Sequence, residues 1–360
     1  MMNIRTGNPT HQRGSNPMRF CLYVLALWGA AAIVMSASAA AAEPPTYRLL
    51  GFDAKSASQA RLWRHTARTT LFVLLKMDDQ VHFNRHDAQG RSPLPLKPRV
   101  LATEKQEKLT RYELEIESRA DRRIKVVLTV PAGAIAGKTP AVVCIHGHGG
   151  NKNIVYELNS PYRAFAKALS ETGYVTLSTD VGQHEIQSEQ RTLMGERLWD
   201  LIRVVDLAAS RPEVDPQRIG CGGLSLGGEM AMWLGAMDER VAATISSGFL
   251  TTMENLRVGH CMCWDFPGLQ RRYEFADIYS MISPRPLQCQ NGLQERLPGG
   301  FPVELAEQAM ADVKQAYRVD GREGWAQLAT HPAGHVFDVT AAQDFFDANL
   351  KSQRRGEGSN

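Results

Sequence analysis

An excess of charge of either sign is missing from most of this 360-residue chain. Its 41 lysines and arginines face 38 acids, and three of the arginines, Arg5, Arg13 and Arg19, lie in the first 42 residues, which hold no acid. Beyond residue 42 the chain is near neutral. It therefore lacks the electrostatic footprint of a nucleic-acid binder or of a protein drawn to an anionic surface, and no nucleic-acid partner is expected. Cysteine is scarce as well. Cys144, Cys221 and Cys289 fall in apolar, strand-like runs and read as buried thiols. Cys261 and Cys263 fall in a loop-like stretch, Gly259 to Trp264. A zinc site would want more ligands at a better spacing, and a Cys-x-Cys disulfide is strained. No apolar run is long enough to span a bilayer comfortably. Phe20 to Met35 comes nearest, and the small residues Ala37-Ser38-Ala39 and Ala40-Ala41-Ala42 follow it. There is no twin arginine before that run and no cysteine at the cleavage sites to take a lipid. Residues 1–42 thus read as a secretory signal peptide, with Met18 as a second candidate start. The expected product is exported, periplasmic or secreted, with no stable membrane insertion after cleavage. No internal repeat is visible.

What is present is a long alternation of strand-like and helix-like runs. Ala54 to Lys76 has apolar residues at helical spacing, and the Pro- and Gly-bearing segment from Asp78 to Arg99 reads as a loop. Residues 43–109 are accordingly expected to form an N-terminal helical arm and loop. Residues 110–350 read as the main domain and 351–360 as a disordered tail. Arg111 to Glu117 and Arg123 to Val130 are expected as an antiparallel pair at a sheet edge. Buried strands follow at Pro140–His146, Tyr174–Thr179, Arg218–Gly223, Val241–Ser246, Arg285–Gln290 and Gly324–Ala329. Helical runs lie between them, including a long amphipathic one over Gln190–Ser210. This order implies an α/β fold, a mostly parallel central sheet with helices on both faces. Phe249 to Ser283 is longer than a simple crossover needs and is expected to build an insertion near the site.

The alternation converges on Gly223-Leu224-Ser225-Leu226-Gly227, set between a strand-like and a helix-like run. In that context Gly-x-Ser-x-Gly is a nucleophile elbow: the turn is tight, and side chains two residues to either side of the serine would clash. Serine needs a base, and the base an orienting carboxylate. His335, after the last expected strand and behind Gly334, is the expected base, with His331 as competitor. Glu295, in the loop after the strand Arg285–Gln290, is the expected acid, with Glu254 and Asp265 as alternatives. An oxyanion would take the N–H of Leu226, next to the serine, and the N–H of His148 in the loop His146-Gly147-His148-Gly149-Gly150. The imidazoles of His146 and His148 are read as shaping that loop; no metal and no cofactor is expected. Within the insertion, Trp264, Phe266 and Arg271 are the expected substrate-binding wall.

These residues resemble the α/β-hydrolase superfamily, in its branch similar to dienelactone hydrolases and acetyl xylan esterases. The likeness is carried by His146 to Gly150, by Arg211-Pro212-Glu213-Val214-Asp215-Pro216 leading into Gly223 to Gly228, by Pro284-Arg285-Pro286-Leu287 and Asn291-Gly292, and by Gly334-His335-Val336-Phe337. Two positions depart from the pattern: dienelactone hydrolases proper use cysteine where this chain has Ser225, and related esterases usually carry aspartate where it has Glu295. The resemblance implies two-step acyl transfer on a small-molecule or carbohydrate ester. The oligomeric state and the identity of the ester stay open.

Overall fold

A computed structural model describes residues 48–88 and 90–351. The expected signal peptide, and the expected tail apart from Lys351, lie outside the described residues. The strands are β1 Arg99–Lys105, β2 Leu109–Arg119, β3 Arg122–Pro131, β4 Thr139–Ile145, β5 Val175–Thr179, β6 Val214–Leu224, β7 Val241–Ser247, β8 Leu287–Gly292 and β9 Ala326–His331. The helices are α1 Ala57–Leu74, α2 Asp78–Phe83, α3 Phe165–Glu171, α4 Leu193–Ser210, α5 Leu226–Met237, α6 Met253–Leu256, α7 Leu269–Arg272, α8 Phe275–Ser280, α9 Val303–Val319 and α10 Val339–Phe346.

Among the described residues nine strands join one sheet in the order β1-β2-β3-β5-β4-β6-β7-β8-β9. β1, β2, β3 and β5 pair antiparallel in succession, and from β5 to β9 the neighbours are parallel. β4, with its run Ala-Val-Val-Cys-Ile, is buried at every position, as a strand covered on both faces must be. One apolar cluster packs α4, α5, α8 and α9 on one face; another packs α3 and α10 on the opposite face. β4 pairs with both β5 and β6, so the chain reverses its direction of progress across the sheet there. The loops leaving the carboxyl ends of β4 and β6 are neighbours, and in open α/β sheets such a reversal is where ligands bind.

Two expectations are corrected. The sheet starts at β1, inside the segment expected to be an arm and loop, so the sheet domain begins near residue 99 rather than 110. And α4 is buried along almost its whole length instead of presenting a wet face. Its acidic residues are paired within the protein. Asp200 takes Arg122 at 2.7 Å, and Asp206 takes Arg240 at 2.6 Å and Arg203 at 2.5 Å. A buried charge must be paired in this way or neutralised. The arm covers this side of the molecule. Leu71 and Leu75 of the arm enter the main core, and Arg64 joins Asp320 at 2.7 Å with both side chains nearly dry.

Candidate active site

Ser225 stands between β6 and α5 with φ 64° and ψ −127°. That left-handed backbone costs a non-glycine residue about 1–3 kcal/mol and persists only where neighbours over-determine it. Here they do. The Ser225 N–H donates to the Ser247 carbonyl at 2.9 Å, fixing the turn against the end of β7. A Cβ at Gly223 would strike the carbonyls of Gly227 and Ile145, and one at Gly227 would strike Ile145 as well. The glycines two residues to either side of the serine are therefore demanded by the adjoining strand β4, as the sequence spacing implies.

Glu295 and His335 come together because their loops are stitched backbone to backbone. The Leu293 N–H donates to the His331 carbonyl at 2.8 Å, and the Gln294 N–H to the Ala333 carbonyl at 3.1 Å. Gly292 sits so close to Ala333 and Gly334 that no side chain fits there. His335 Nδ1 then lies 2.7 Å from Glu295 Oε1, and Oε2 of the same carboxylate accepts the Phe301 N–H at 3.1 Å. Burial pushes the Glu295 carboxyl up. The hydrogen bond and charge of His335, with the Phe301 N–H, pull it further down, so the net shift is downward and the group stays ionised. With Nδ1 engaged, Nε2 is the ring nitrogen left for other work. The imidazole edge packs on Gly248, the residue after Ser247; a Cβ there would fall 2.8 Å from His335 Cε1. Ser225 and His335 are thus both registered against the end of β7.

The loop after β4 closes the other side. Gly147 abuts the Ser225 Cβ, and its N–H donates to the Tyr162 hydroxyl at 2.5 Å. His146 is buried; its Nδ1–H donates to the Gly147 carbonyl at 2.8 Å, and its Nε2 accepts the Val181 N–H at 3.1 Å. Both nitrogens are spent on backbone, so His146 shapes the loop. Leu226 opens α5, its N–H directly beyond the serine.

The other candidates fall elsewhere. Trp264 is 1 % exposed, with its ring edge-on to Phe275 at 5.3 Å, and Phe266 packs against Trp233 at 5.8 Å. Both belong to the main apolar cluster, packed on α8 and α5, which corrects their expected place on a substrate-facing wall. Arg271 is exposed, and its carbonyl accepts the Leu49 N–H from the arm at 3.1 Å. Asp265 accepts from Gln270 at 2.7 Å, and Glu254 is exposed in α6. Neither carboxylate takes the place beside His335 that Glu295 holds. His331 ends β9, its carbonyl bonded to Leu293. The sequence reading missed Phe301, whose ring stacks on His335 at 5.5 Å; His260, from the insertion, lies 5.0 Å from Phe301. The wide loops around them held no periodic signal. Two clefts of about 710 and 760 Å³ open elsewhere, the first at the amino ends of β6, β7 and β8 and the second between α1, α2 and α4. Neither is lined by Ser225, Glu295 or His335. Among the described residues no helix is long and apolar enough to cross a membrane.

Comparison with known proteins agrees with this architecture. Residues 124–249 match the dienelactone hydrolase family. A Bacillus subtilis (strain 168) protein, YtaP, whose name assigns it provisionally to the hydrolases, is 27% identical over 226 residues, covering 55% of this chain and 74% of its own. A glucuronoyl esterase from Solibacter usitatus superposes with a TM-score of 0.61 at 16% identity, over 86% of this chain and 99% of that one. An acetyl xylan esterase from Paenibacillus sp. R4 does so with a TM-score of 0.55 at 17% identity, over 84% and 98%. At those identities the likeness shows the fold alone. The chain has the α/β-hydrolase fold of these neighbours, and its residues 124–249 are similar to the dienelactone hydrolase family.

Proposed function

We propose that the protein is an exported serine esterase that cleaves a carboxylic ester, with a carbohydrate acetyl ester as the leading substrate class. One observation carries this reading. The strained Ser225 and the His335–Glu295 pair are registered against the same strand end, through Ser247 and Gly248. The esterases among the structural neighbours support it. For export the support is the composition of residues 1–42.

In this reading Ser225 Oγ attacks the ester carbonyl carbon as its proton passes to His335 Nε2. Glu295, ionised and bonded to Nδ1, steadies the imidazolium that forms. The carbonyl electron pair moves onto oxygen, where the N–H groups of Leu226 and His148 receive it. Collapse breaks the bond to the alcohol oxygen, which takes the proton from His335. Water then attacks the acyl-serine, His335 accepts its proton, and the acid leaves as Ser225 is restored. The test is turnover of a short-chain aryl acetate, with labelling by a fluorophosphonate probe. Wild type should hydrolyse the ester and label at Ser225, and Ser225→Ala should lose both. An unlabelled wild-type serine would instead mean a fold kept for binding. Faster cleavage of peptide amides than of acyl esters would mean a peptidase.

A further inference from the structure

Near the loop that abuts Ser225, four side chains from three separate loops converge. They are His148 after β4, His184 after β5, and Cys261 and Cys263 from the insertion. One ligand atom from each lies within 4.8 Å of all the others. His148 Nε2 is 3.1 Å from Cys263 Sγ, and the rings of His148 and His184 stack with centroids 5.2 Å apart. Arg197, from buried α4, donates through Nη1 to Cys263 Sγ at 3.4 Å. Elsewhere the free cysteines Cys144, Cys221 and Cys289 are buried singly in strands.

We propose that His148, His184, Cys261 and Cys263 form a binding site for a zinc-like divalent cation. The donor set decides the class of metal. Two sulfurs and two imidazole nitrogens suit tetrahedral, borderline-soft Zn(II), whereas hard ions such as magnesium or calcium want oxygen. Ligand bonds of about 2.0–2.3 Å place tetrahedral ligands about 3.3–3.8 Å apart, so small side-chain rotations would close the present cluster. On binding, the two thiols release their protons to solvent. The two thiolates then cancel the charge of the metal, and the Arg197 donor steadies one sulfur as outer-shell partners commonly do. Spacing along the chain did not point to this site, because the partners of the Cys-x-Cys pair come from distant loops. Four ligands leave no open position, so the assigned role is structural. The ion ties the insertion to the glycine-rich loop after β4 and to the loop after β5.

The experiment uses the purified full chain, reduced and stripped with a chelator, then titrated with Co(II) as a spectroscopic stand-in. The expected result is one equivalent bound, with a thiolate-to-cobalt charge-transfer band and visible bands of tetrahedral intensity, all displaced by Zn(II). Zn(II) should also raise the melting temperature. Cys261→Ser with Cys263→Ser should abolish the charge-transfer band. His184→Ala, an exposed position that threatens folding little, should weaken binding at least about tenfold, in the range seen when supporting contacts of metal sites are removed. His82→Ala, also exposed but remote in the fold, should bind as wild type. No charge-transfer band in wild type, or a band that survives the double cysteine variant, would overturn the proposal. So would a Cys261–Cys263 disulfide persisting under reducing conditions. None of these readouts depends on ester turnover, so the metal site and the esterase reading can fail separately.

Discussion

A methyl group added to Gly248 would fall 2.8 Å from His335 Cε1 and 3.0 Å from Nδ1, at a position whose φ is 58°. The imidazole is shelved on that glycine. Gly248→Ala is expected to push the ring off its place and to lower turnover about a hundredfold, the scale of loss for an ångström of misplacement. The backbone strain should cost about 1–2 kcal/mol of stability. Kinetics alongside a thermal melt separate the two effects, and unchanged turnover would remove His335 from its proposed role.

Glu295→Gln should lower turnover about a thousand- to ten-thousandfold while the protein stays folded, because the amide cannot steady an imidazolium. Glu295→Asp should lose less. A collapse in Asp265→Asn or Glu254→Gln, with Glu295→Gln near normal, would place the acid on the insertion instead.

The same carboxylate sets a pH limit. Burial raises its titration point, but His335 lowers it further, so the folded value lies below the ordinary 4.5. The unfolded chain therefore binds the proton more readily. The stability from this pair is full above that ordinary value and is lost as pH falls through the lower, folded one. Denaturant melts of wild type and Glu295→Gln should converge on acidification, and parallel curves across that range would contradict this sign.

Glu229, one turn beyond Ser225 in α5, has the opposite leaning. Burial pushes its carboxyl up to about 8, against the pull of Arg197, and its Oε1 has no hydrogen-bond partner. The folded state holds this proton where the unfolded chain has shed it, so stability should fall as pH rises from the ordinary glutamate range toward 8. Glu229→Gln should flatten that slope and gain stability on wild type, by about 1–3 kcal/mol, at the alkaline end. Melts across the range check it.

Trp264→Ala is expected to act on the fold, not on one substrate. Its ring is enclosed and lies against Phe275, so removal should cost about 3–5 kcal/mol and depress all ester turnovers alike once the protein loosens. A selective loss on a bulky natural ester, with an aryl acetate spared, would return Trp264 to the pocket wall.

What the sequence revealed follows from what local chemistry encodes. The elbow was legible because a positive φ and two close backbone approaches leave glycine little competition around Ser225. The parallel strands were legible as apolar runs such as Ala141 to Ile145, and the pairing of Glu295 with His335 followed from the order of loops along the sheet. Facing was not legible. An aromatic such as Trp264 in an irregular stretch gives no sign of whether its ring meets solvent or core. Nor could the polar face of α4 be known to be dry, since the arm that covers it comes from far earlier in the chain. β1 escaped notice for a third reason: it is exposed at every position, so burial imposes no alternation on it.

That outermost strand has a consequence for solubility. Among the described residues β1 has no strand on its outer side, beside the exposed Val100 and Leu101. Such an edge is a template on which another copy could add its own strand. Arg99, Glu104 and Lys105 crowd its ends with charge, and the pairing with β2 slips between Val100 and Ala102, bending the strand out of the flat geometry that stacking requires. This edge of the sheet thus carries its own guard. Exchanging those charges for threonine or valine should leave the monomer folded but hasten its precipitation at high concentration.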